Sequence, residues 1–391
     1  MKQSKHNIYY SPKEVRTILE RSIDTALDGL KGYCNDPVSD FTRCRKLPAR
    51  TLIECIMSFS NYSSIGELSH FFVGHGEMPS ASALSQRRQL LDPDIFKRIN
   101  NLFVSAFDDH ATINGYHILA QDGSDVNIPF MDDKTKTEKH DAKSFCQYHV
   151  NALYDCLNKV FYDWSIDAAS KKREVNALIS ILKDRNYPQN SIFTADRGYE
   201  SYNLMAHFIE NDTKFVIRVK DIHTKSGLMT NIKTEEGAFD MRINRTLTSL
   251  QTKEIKADKE KYIFVPSTSN FDFLDENRDF YDLSFRAVRF KISEDTYETV
   301  VTNLSEEEFK TEDFKELYHY RWNEETAFNK LKYTIGLVYF HARKRKLIQQ
   351  EINAAFLMYN VSEVIIRNID LKKNKKPELE YDYKPNFSSA V

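Results

Sequence analysis

The chain is poor in glycine and lacks the short motifs of common nucleotide and metal sites. Glycine accounts for 11 of 391 residues, about 2.8% against roughly 7% in typical proteins. No G-x-x-x-x-G-K occurs, and the one G-x-G, Gly74-His75-Gly76, lacks the third glycine of a dinucleotide-binding loop. H-E-x-x-H, C-x-x-C and G-x-S-x-G are also missing. We therefore expect no nucleotide cofactor, and zincins, zinc ribbons and serine hydrolases lose their usual signatures.

Long apolar runs and an export signal are absent as well. The N-terminus, MKQSKHNIYYSPKEV, has no apolar segment of the signal-peptide type, and no stretch of 18 apolar residues exists. The five cysteines, at positions 34, 44, 55, 146 and 156, are odd in number and widely spread. This pattern is typical of reduced thiols in a cytosolic protein. We expect neither a membrane span nor export.

An excess of one charge is also lacking. The 55 Lys+Arg and 57 Asp+Glu residues give a formal charge of −2, which excludes a uniformly basic nucleic-acid coat. Composition is that of a soluble globular protein, and the length predicts two or three domains. Charge is divided locally, because residues 343–376 hold nine basic and three acidic residues, whereas residues 294–316 hold two basic and nine acidic ones.

Apolar residues recur every three or four positions in the first 110 residues, which predicts a helical domain. Its last predicted helix, with Ser80 as the N-cap, carries Arg87 and Arg88 and has the polar face of a groove-reading helix. We interpret Arg87 and Arg88 as DNA contacts. The alternative is a helical lobe with a solvated polar face. The predicted helices are 13–30, 48–60, 65–73 and 80–91.

The middle of the chain changes to alternating strand and helix patterns, which predicts a mixed α/β sheet with three leading antiparallel strands. Residues 131–145 are expected to form a solvated loop. Residues 221–295 are expected to form a β-rich insertion that leaves the sheet, with the chain returning at 297–304. The predicted strands are 117–126, 147–157, 159–166, 191–195 and 214–220, and the predicted helices are 171–185 and 201–211.

Three carboxylates stand out by their placement. Asp122 lies toward the end of the first predicted strand, and Asp196 ends a later strand and opens a turn; ligands of α/β sheets bind at the carboxyl ends of strands. Glu325 lies on a long predicted helix from Thr311, its expected N-cap, to Tyr333. We therefore expect these three acids to form one site.

The same helix carries the spacing Y-x2-R-x3-E-x6-K, formed by Tyr318, Arg321, Glu325 and Lys332. At roughly 100° per residue these four residues occupy a stripe about 60° wide beside the apolar face. Glu324 falls in the apolar sector and is the alternative acid. Trp322, which neighbours Arg321, offers a face on which an unstacked base can lie.

Three ionised carboxylates repel each other and need a cation to lie side by side. Oxygen ligands of this type suit Mg²⁺ or Mn²⁺, and two such ions can clamp an in-line phosphoryl displacement. Arginine and lysine on the same face would hold neighbouring phosphates. Taken singly, such residues are more often turn formers or a solvated helix face, but their combination favours a functional site.

Three segments, QDGSDVNIP, TADRGYES and YHYRWNEETAFNKLK, resemble the signature segments of bacterial insertion-sequence transposases of the DDE type. The resemblance covers about residues 40 to 345 and is closest to the cut-and-paste group with the Y-R-E-K signature. It implies a ribonuclease-H-like core with a β-rich insertion and an N-terminal helical domain that binds DNA ends. The expected division is 1–110 for that domain, 111–220 for the first part of the core, 221–295 for the insertion, 296–345 for the last strand and catalytic helix, and 346–391 for a basic C-terminal segment.

The resemblance also implies the roles of the residues. Asp122, Asp196 and Glu325 would bind two Mg²⁺ or Mn²⁺ ions. Tyr318, Arg321 and Lys332 would grip phosphate at the transposon end, and Trp322 would help to position a flipped base. The implied reaction is strand cleavage by water, hairpin formation and its opening, and joining to target DNA. The implied partners are double-stranded terminal inverted repeats, target DNA and a second copy on DNA, in the bacterial cytoplasm and at the nucleoid.

Two other functions fit the same residues. One is a nuclease of this fold that hydrolyses DNA without joining strands. The other is a truncated copy that represses transposition by binding DNA, because relatives often continue with further helices where this sequence ends in YDYKPNFSSAV. A glycosidase with two carboxylates is disfavoured, since the stripe on the long helix would have no role there.

Overall fold

A computed structural model of the chain describes residues 1–391 except 7, 44, 45, 75, 109, 140, 141, 170–172, 223, 225, 295, 369–386 and 388–391. Ten of its strands form one sheet. The strands are β1 (His117–Ile128), β2 (Lys136–Lys139), β3 (Ala142–Asp155), β4 (Val160–Ala168), β5 (Ser191–Ala195), β6 (Lys214–Val219), β7 (Phe239–Thr248), β8 (Tyr262–Phe264), β9 (Phe280–Ser293) and β10 (Thr296–Thr302).

Eleven helices are described around this sheet. They are α1 (Pro12–Asp28), α2 (Ala49–Met57), α3 (Ser64–Phe71), α4 (Ala81–Leu90), α5 (Asp94–Val104), α6 (Glu174–Asp184), α7 (Tyr202–Glu210), α8 (Lys253–Ala257), α9 (Asp313–His319), α10 (Trp322–Tyr333) and α11 (Arg345–Arg367). None of these described helices is long and apolar enough to cross a membrane.

The strand order is β2-β3-β1-β5-β6-β10-β9-β7-β8, and β4 pairs with β3. The central strand β1 is antiparallel to β3 and parallel to β5, which is in turn parallel to β6. The predicted hairpin around Asn158 is confirmed, because β3 and β4 pair in antiparallel register. The predicted mixed α/β sheet with three leading antiparallel strands is therefore confirmed.

Helices cover both faces of the sheet, and alternation along β1 assigns each residue to a face. Ile118 and Ala120 pack in the core that contains Phe328 of α10. Leu119 packs in the opposite core, formed with α6 and α7. Even-numbered positions of β1 therefore face α10, and odd-numbered positions face α6.

The N-terminal helices form a third core, and α11 belongs to it as well. Leu357 of α11 is fully buried among residues of α1, α2 and α5, whereas Phe356 enters the core under α10. Ser80 caps α4 as predicted, since its hydroxyl accepts from the Ala83 N–H at 3.1 Å. Part of the segment predicted to be a basic C-terminal arm is thus a mostly buried helix that joins the N-terminal helices to the sheet.

Two predictions about where strands lie were wrong. The segment 131–145 contains β2, which pairs with β3. The segment 221–295 does not leave the sheet, because β9 pairs with β10, and β7 with β9. Alternation predicts that a segment is a strand but does not identify its partner, so the sequence left the position of these strands open.

The predicted long helix is two helices. α9 ends and α10 begins at Tyr320–Arg321, where the Arg321 N–H donates to Tyr318 and the Glu324 N–H to Arg321, in the three-residue pattern of a 3₁₀ turn. Thr311 is not an N-cap. Its hydroxyl donates to Asp240 on β7, and α9 begins without a side-chain cap.

Candidate active site

Asp122 and Asp196 lie at neighbouring positions of two parallel strands. The last pair in the register of β1 and β5 is Gln121 with Ala195, so each aspartate is the next residue along its strand. Strand alternation places both on the face that α10 covers. Burial raises the pKa of Asp122, and the charges of Asp196 and Glu174 add to this effect, whereas the Gly123 N–H and Arg321 oppose it.

The D-R-G-Y segment fixes the orientation of the Asp196 carboxylate. The Gly198 N–H donates to Asp196 Oδ1 at 2.6 Å, and a Cβ on Gly198 would lie only 2.9 Å from that oxygen. Tyr199, which is fully buried between the sheet and α6 and α7, anchors the turn. The motif therefore has a structural reason: glycine leaves room for the carboxylate, and tyrosine fixes the backbone behind it.

Arg321 joins the helix acid to the strand acid. Its Nη1 lies 3.4 Å from Asp122 Oδ2, and its Nη2 lies 3.0 Å from Glu325 Oε1. The guanidinium packs between two rings, 5.7 Å from the centroid of Tyr318 and 5.1 Å from that of Trp322. Glu325 is therefore at the same end of the sheet as Asp122 and Asp196.

The remaining residues of the stripe differ in exposure. Tyr318 is buried, which raises its pKa, and its hydroxyl has no hydrogen-bond partner among the described residues. Trp322 is 46% exposed. Burial lowers the pKa of the half-buried Lys332, and the charge of Asp125 opposes this. Trp322 thus offers an open ring face, whereas Tyr318 is enclosed.

The Arg88 side chain is buried, whereas a DNA contact requires an exposed side chain. The side chain of Arg88 is 3% exposed and forms an ion pair with Glu351 of α11 at 2.7 Å. It also donates to the Leu347 carbonyl. Arg87 is partly buried, with its guanidinium 4.2 Å from the Phe41 ring centroid. The prediction for Arg88 was wrong, because basic residues near a helix end also suit a buried ion pair with another helix; the role of Arg87 stays a prediction.

Glu324, the alternative acid, lies inside the site. It is fully buried, and neither carboxylate oxygen has a hydrogen-bond partner in the described part of the chain. Burial raises its pKa well above the usual range, and the charge of Asp122 raises it further. Burial therefore disfavours the charged form of Glu324 beside Asp122, whereas the side chain of Glu325 is 43% exposed.

Other buried polar atoms around Asp122 also lack partners among the described residues. Buried polar groups in folded proteins nearly always have one, but these atoms lie on both faces of the sheet, and among them only Arg321 Nε is on the face that α10 covers. These atoms are Gln121 Oε1 and Nε2, Asn151 Oδ1, the Tyr199 hydroxyl and Arg321 Nε.

The donor types fit a hard divalent cation, since the three acids supply only oxygen. Within the described residues, however, no three His, Cys, Asp or Glu side chains lie close enough together to hold a metal ion. The Arg321 guanidinium occupies the space between Asp122 and Glu325. A cation shared by these two acids would therefore take over the place of Arg321.

Three residues beside the site, His149, Asp125 and Glu174, were not predicted from the sequence. His149 on β3 contacts Asp125 on β1 and Glu174 at the start of α6. One signal was available, because His149 and Asn151 are polar residues within a strand whose neighbours Val150 and Ala152 are apolar. No signal in the sequence links Glu174 to this pair.

The chain was compared with known proteins. Residues 113–361 match the model of the transposase DDE domain family, a segment that includes β1, β5 and α10. No curated protein matches the chain. Nine chains of solved structures match. One of them is from a cryo-EM structure of a piggyBac transposase synaptic complex with hairpin DNA. The two sequences are 12% identical, the match covers 98% of this chain and 79% of that chain, and the TM-score is 0.48.

The family match covers more than half of the chain and all three acids of the site. DDE transposases act on DNA in transposition and use divalent metal ions. The mixed sheet, with two aspartates on adjacent strands and a glutamate on a covering helix, is the ribonuclease-H-like core of such enzymes. The chain belongs to the DDE transposase family.

Proposed function

We propose that the protein cleaves DNA strands at the ends of its own transposon and joins them to target DNA. In this proposal Asp122, Asp196 and Glu325 together hold two Mg²⁺ or Mn²⁺ ions. The observation that supports it best is that Arg321 contacts both Asp122 and Glu325, while Asp196 directly follows the strand that pairs with the strand of Asp122. Such ions, when bound, activate the attacking oxygen and stabilise the leaving oxygen of an in-line displacement.

The side chains of α10 and the turn before it contribute binding and orientation. The planar fork of Arg321 lies beside the rings of Tyr318 and Trp322, and once released from the two carboxylates it would suit a bidentate phosphate contact. Lys332 lies about two helical turns beyond Glu325 on α10. It would hold the next phosphate. The exposed ring of Trp322 would stack on an unpaired base.

The sequence of steps that we propose is cut-and-paste. Water cleaves one strand, the new 3′-hydroxyl attacks the opposite strand to form a hairpin, a second water opens it, and the 3′-hydroxyl joins target DNA. We propose that two copies act together on paired terminal inverted repeats, in the bacterial cytoplasm at the nucleoid. The helical segment 1–110 would bind the repeat through surfaces other than Arg88.

The test uses the full chain, Mg²⁺ and labelled DNA fragments that carry the sequences flanking its own gene. We expect D122N, D196N and E325Q each to lose cleavage while DNA binding is retained. D279N, a change in an exposed loop, is the matched control and should leave cleavage unchanged. Full activity in any one of the three variants would remove that residue from the proposed site.

The products separate the remaining functions. Hairpins and strand-transfer products support transposition, whereas nicked products alone would indicate a hydrolytic nuclease of the same fold. Salt-sensitive binding without any cleavage would indicate a DNA-binding repressor. Either of the last two results would overturn the proposed strand transfer.

A further inference from the structure

A buried histidine lies on the opposite face of β1 from Asp122. His149 is 2% exposed, and its Nδ1 lies 2.7 Å from Asp125 Oδ1. Its Nε2 lies 3.0 Å from Glu174 Oε1. One ring on β3 therefore connects the end of β1 to the first residue of α6.

The ring occupies the space that a side chain at position 123 would need. A Cβ built on Gly123 would lie 2.3 Å from His149 Nε2 and 2.6 Å from Cε1. The backbone of Gly123 is part of a regular strand, so glycine is required here by the contact and not by its conformation. His149 thus packs directly against the residue that follows Asp122.

Glu174 links His149 to the two aspartates of the site. Its Oε2 lies 3.7 Å from the Cβ position of Gly198, in the turn whose N–H holds the Asp196 carboxylate. The charge of Glu174 also contributes, after burial, to the raised pKa of Asp122. The position of Glu174 therefore bears on both aspartates.

His149 Nδ1 is hydrogen-bonded to Asp125 Oδ1, whereas Nε2 lies close to Glu174 Oε1 without hydrogen-bond geometry. An ion pair with both carboxylates requires the imidazolium, in which both ring nitrogens carry a proton. Burial alone would lower its pKa, but pairing with Glu174 and Asp125 outweighs burial and the pKa is raised. The charged groups that face it from the packed elements are Asp125 on β1, Glu174 on α6 and Asp167, its register partner on β4. Lys332 of α10 acts on Asp125.

We propose that His149 is a positioning residue of the active site: its ring, seated against Gly123, connects Asp125 to Glu174 and so fixes the strand that carries Asp122 and the turn that carries Asp196. The inference rests on the proposed metal site at these aspartates. Outer residues that orient metal ligands typically affect metal affinity or activity by 10–100-fold when they are replaced. We therefore expect His149→Asn to weaken Mn²⁺ binding about tenfold.

The sign of the pH dependence follows from the raised pKa. The contribution of His149 is complete below about pH 6.5 and is lost as the pH rises through its higher folded-state pKa. Wild-type affinity for Mn²⁺ should then fall relative to H149N as the pH rises from 6 to 9. H149N should show a smaller decrease in Mn²⁺ affinity between pH 6 and pH 9 than the wild type. Any decrease that remains in H149N reflects the general effect of pH on the site.

The experiment is a calorimetric titration of the full chain with Mn²⁺ in the absence of DNA. It is carried out at pH 6 and at pH 9. The matched control is H207N, because His207 is also buried and lies 2.7 Å from a carboxylate, Asp272, but belongs to α7 outside the site. We expect H207N to bind like the wild type. If D122N loses Mn²⁺ and H149N binds like the wild type at both pH values, the inference is overturned and the proposed function stands. If D122N also binds like the wild type, both are overturned.

A second measurement tests the contact itself and does not depend on metal. G123A should lower the melting temperature because its methyl group collides with the His149 ring, and H149A should restore most of this loss in the double variant G123A/H149A. Additive losses in the double variant would show that the ring is not seated at Gly123 and would overturn the inference.

Discussion

Arg321 is the residue that keeps the acids of the site together. Asp122 and Glu325 face each other across its guanidinium, and the side chain is only 4% exposed. Burial alone would lower the pKa of Arg321, but the charges around it raise that pKa. Arg321 lies between Asp122 and Glu325, which would repel each other when both are ionised.

We predict that R321A lowers the free energy of unfolding in the absence of metal by about 3 kcal/mol, since a buried charge pair loses one partner. Mn²⁺ should stabilise R321A more than it stabilises the wild type, because the ion then takes over the role of the guanidinium. Urea unfolding with and without Mn²⁺ measures both effects. R16A removes an exposed pair with Glu20 and should cost less than about 1 kcal/mol. Equal stabilisation of R321A and wild type by Mn²⁺ would contradict the exchange of cations.

Secondary-structure elements show how far sequence patterns lead. Alternation located β1 and β5, with Asp122 within β1 and Asp196 directly after β5, because the period of a strand fixes which residues share a face. The spacing on α10 likewise identified Glu325 and Arg321 as neighbours. These local periods are properties of short segments, so they could be predicted.

Contacts between distant segments could not be predicted in this way. The pairing of β9 with β10 and the ion pair between Arg88 and Glu351 depend on partners that no local period specifies. The contact of Glu174 with His149 depends on the position of a helix start relative to the sheet. The missed part of the site consists of such long-range contacts, whereas the predicted part consists of strand ends and one helix face.

One ion pair holds the predicted insertion against the core sheet. Asp221, which follows β6, pairs with Arg289 of β9 at 2.8 Å and accepts a hydrogen bond from Thr299 of β10 at 2.9 Å. The Arg289 guanidinium is the main cause that lowers the pKa of Asp221 to about 2. Three strand segments therefore meet at one carboxylate.

We predict that D221N lowers the free energy of unfolding at pH 7 by about 1 kcal/mol, a value reduced for partial solvent exposure of the carboxylate. A depressed carboxyl pKa stabilises the fold above its unfolded value near 4, and the contribution is lost as the pH falls toward 2. The difference between wild type and D221N in urea unfolding should thus shrink from pH 5 to pH 3. D279N, in an exposed loop, should show no difference at either pH. A difference that is independent of pH would contradict the role of the ionised pair.

At the scale of the whole molecule, a buried charge cluster joins the N-terminal helices to the C-terminal one. Glu351 of α11 pairs with Arg88 of α4 at 2.7 Å and with His341 at 3.3 Å. His341 in turn lies 3.1 Å from Glu67 of α3. Two acids and two bases balance only when His341 is protonated, so the electrostatic contribution of this cluster depends on one imidazole.

We predict that this connection weakens in alkali. Burial alone would lower the pKa of His341, but Glu351 and Glu67 outweigh burial and raise it. A raised histidine pKa stabilises the fold fully below about pH 6.5, and the contribution is lost as the pH rises through the folded-state pKa. Urea unfolding of the wild type should therefore show lower stability at pH 9 than at pH 6, and H341N should lose stability at pH 6 but show a smaller decrease between the two values.

The matched control is again H207N, whose ring pairs with Asp272 away from these helices. It should keep the wild-type difference between pH 6 and pH 9. Because α11 packs on the N-terminal helices and also under α10, loss of the His341 contacts would act on the position of both. An H341N variant with the full wild-type decrease in alkali would show that another group is responsible, and the cluster would then have no part in the pH response of the molecule.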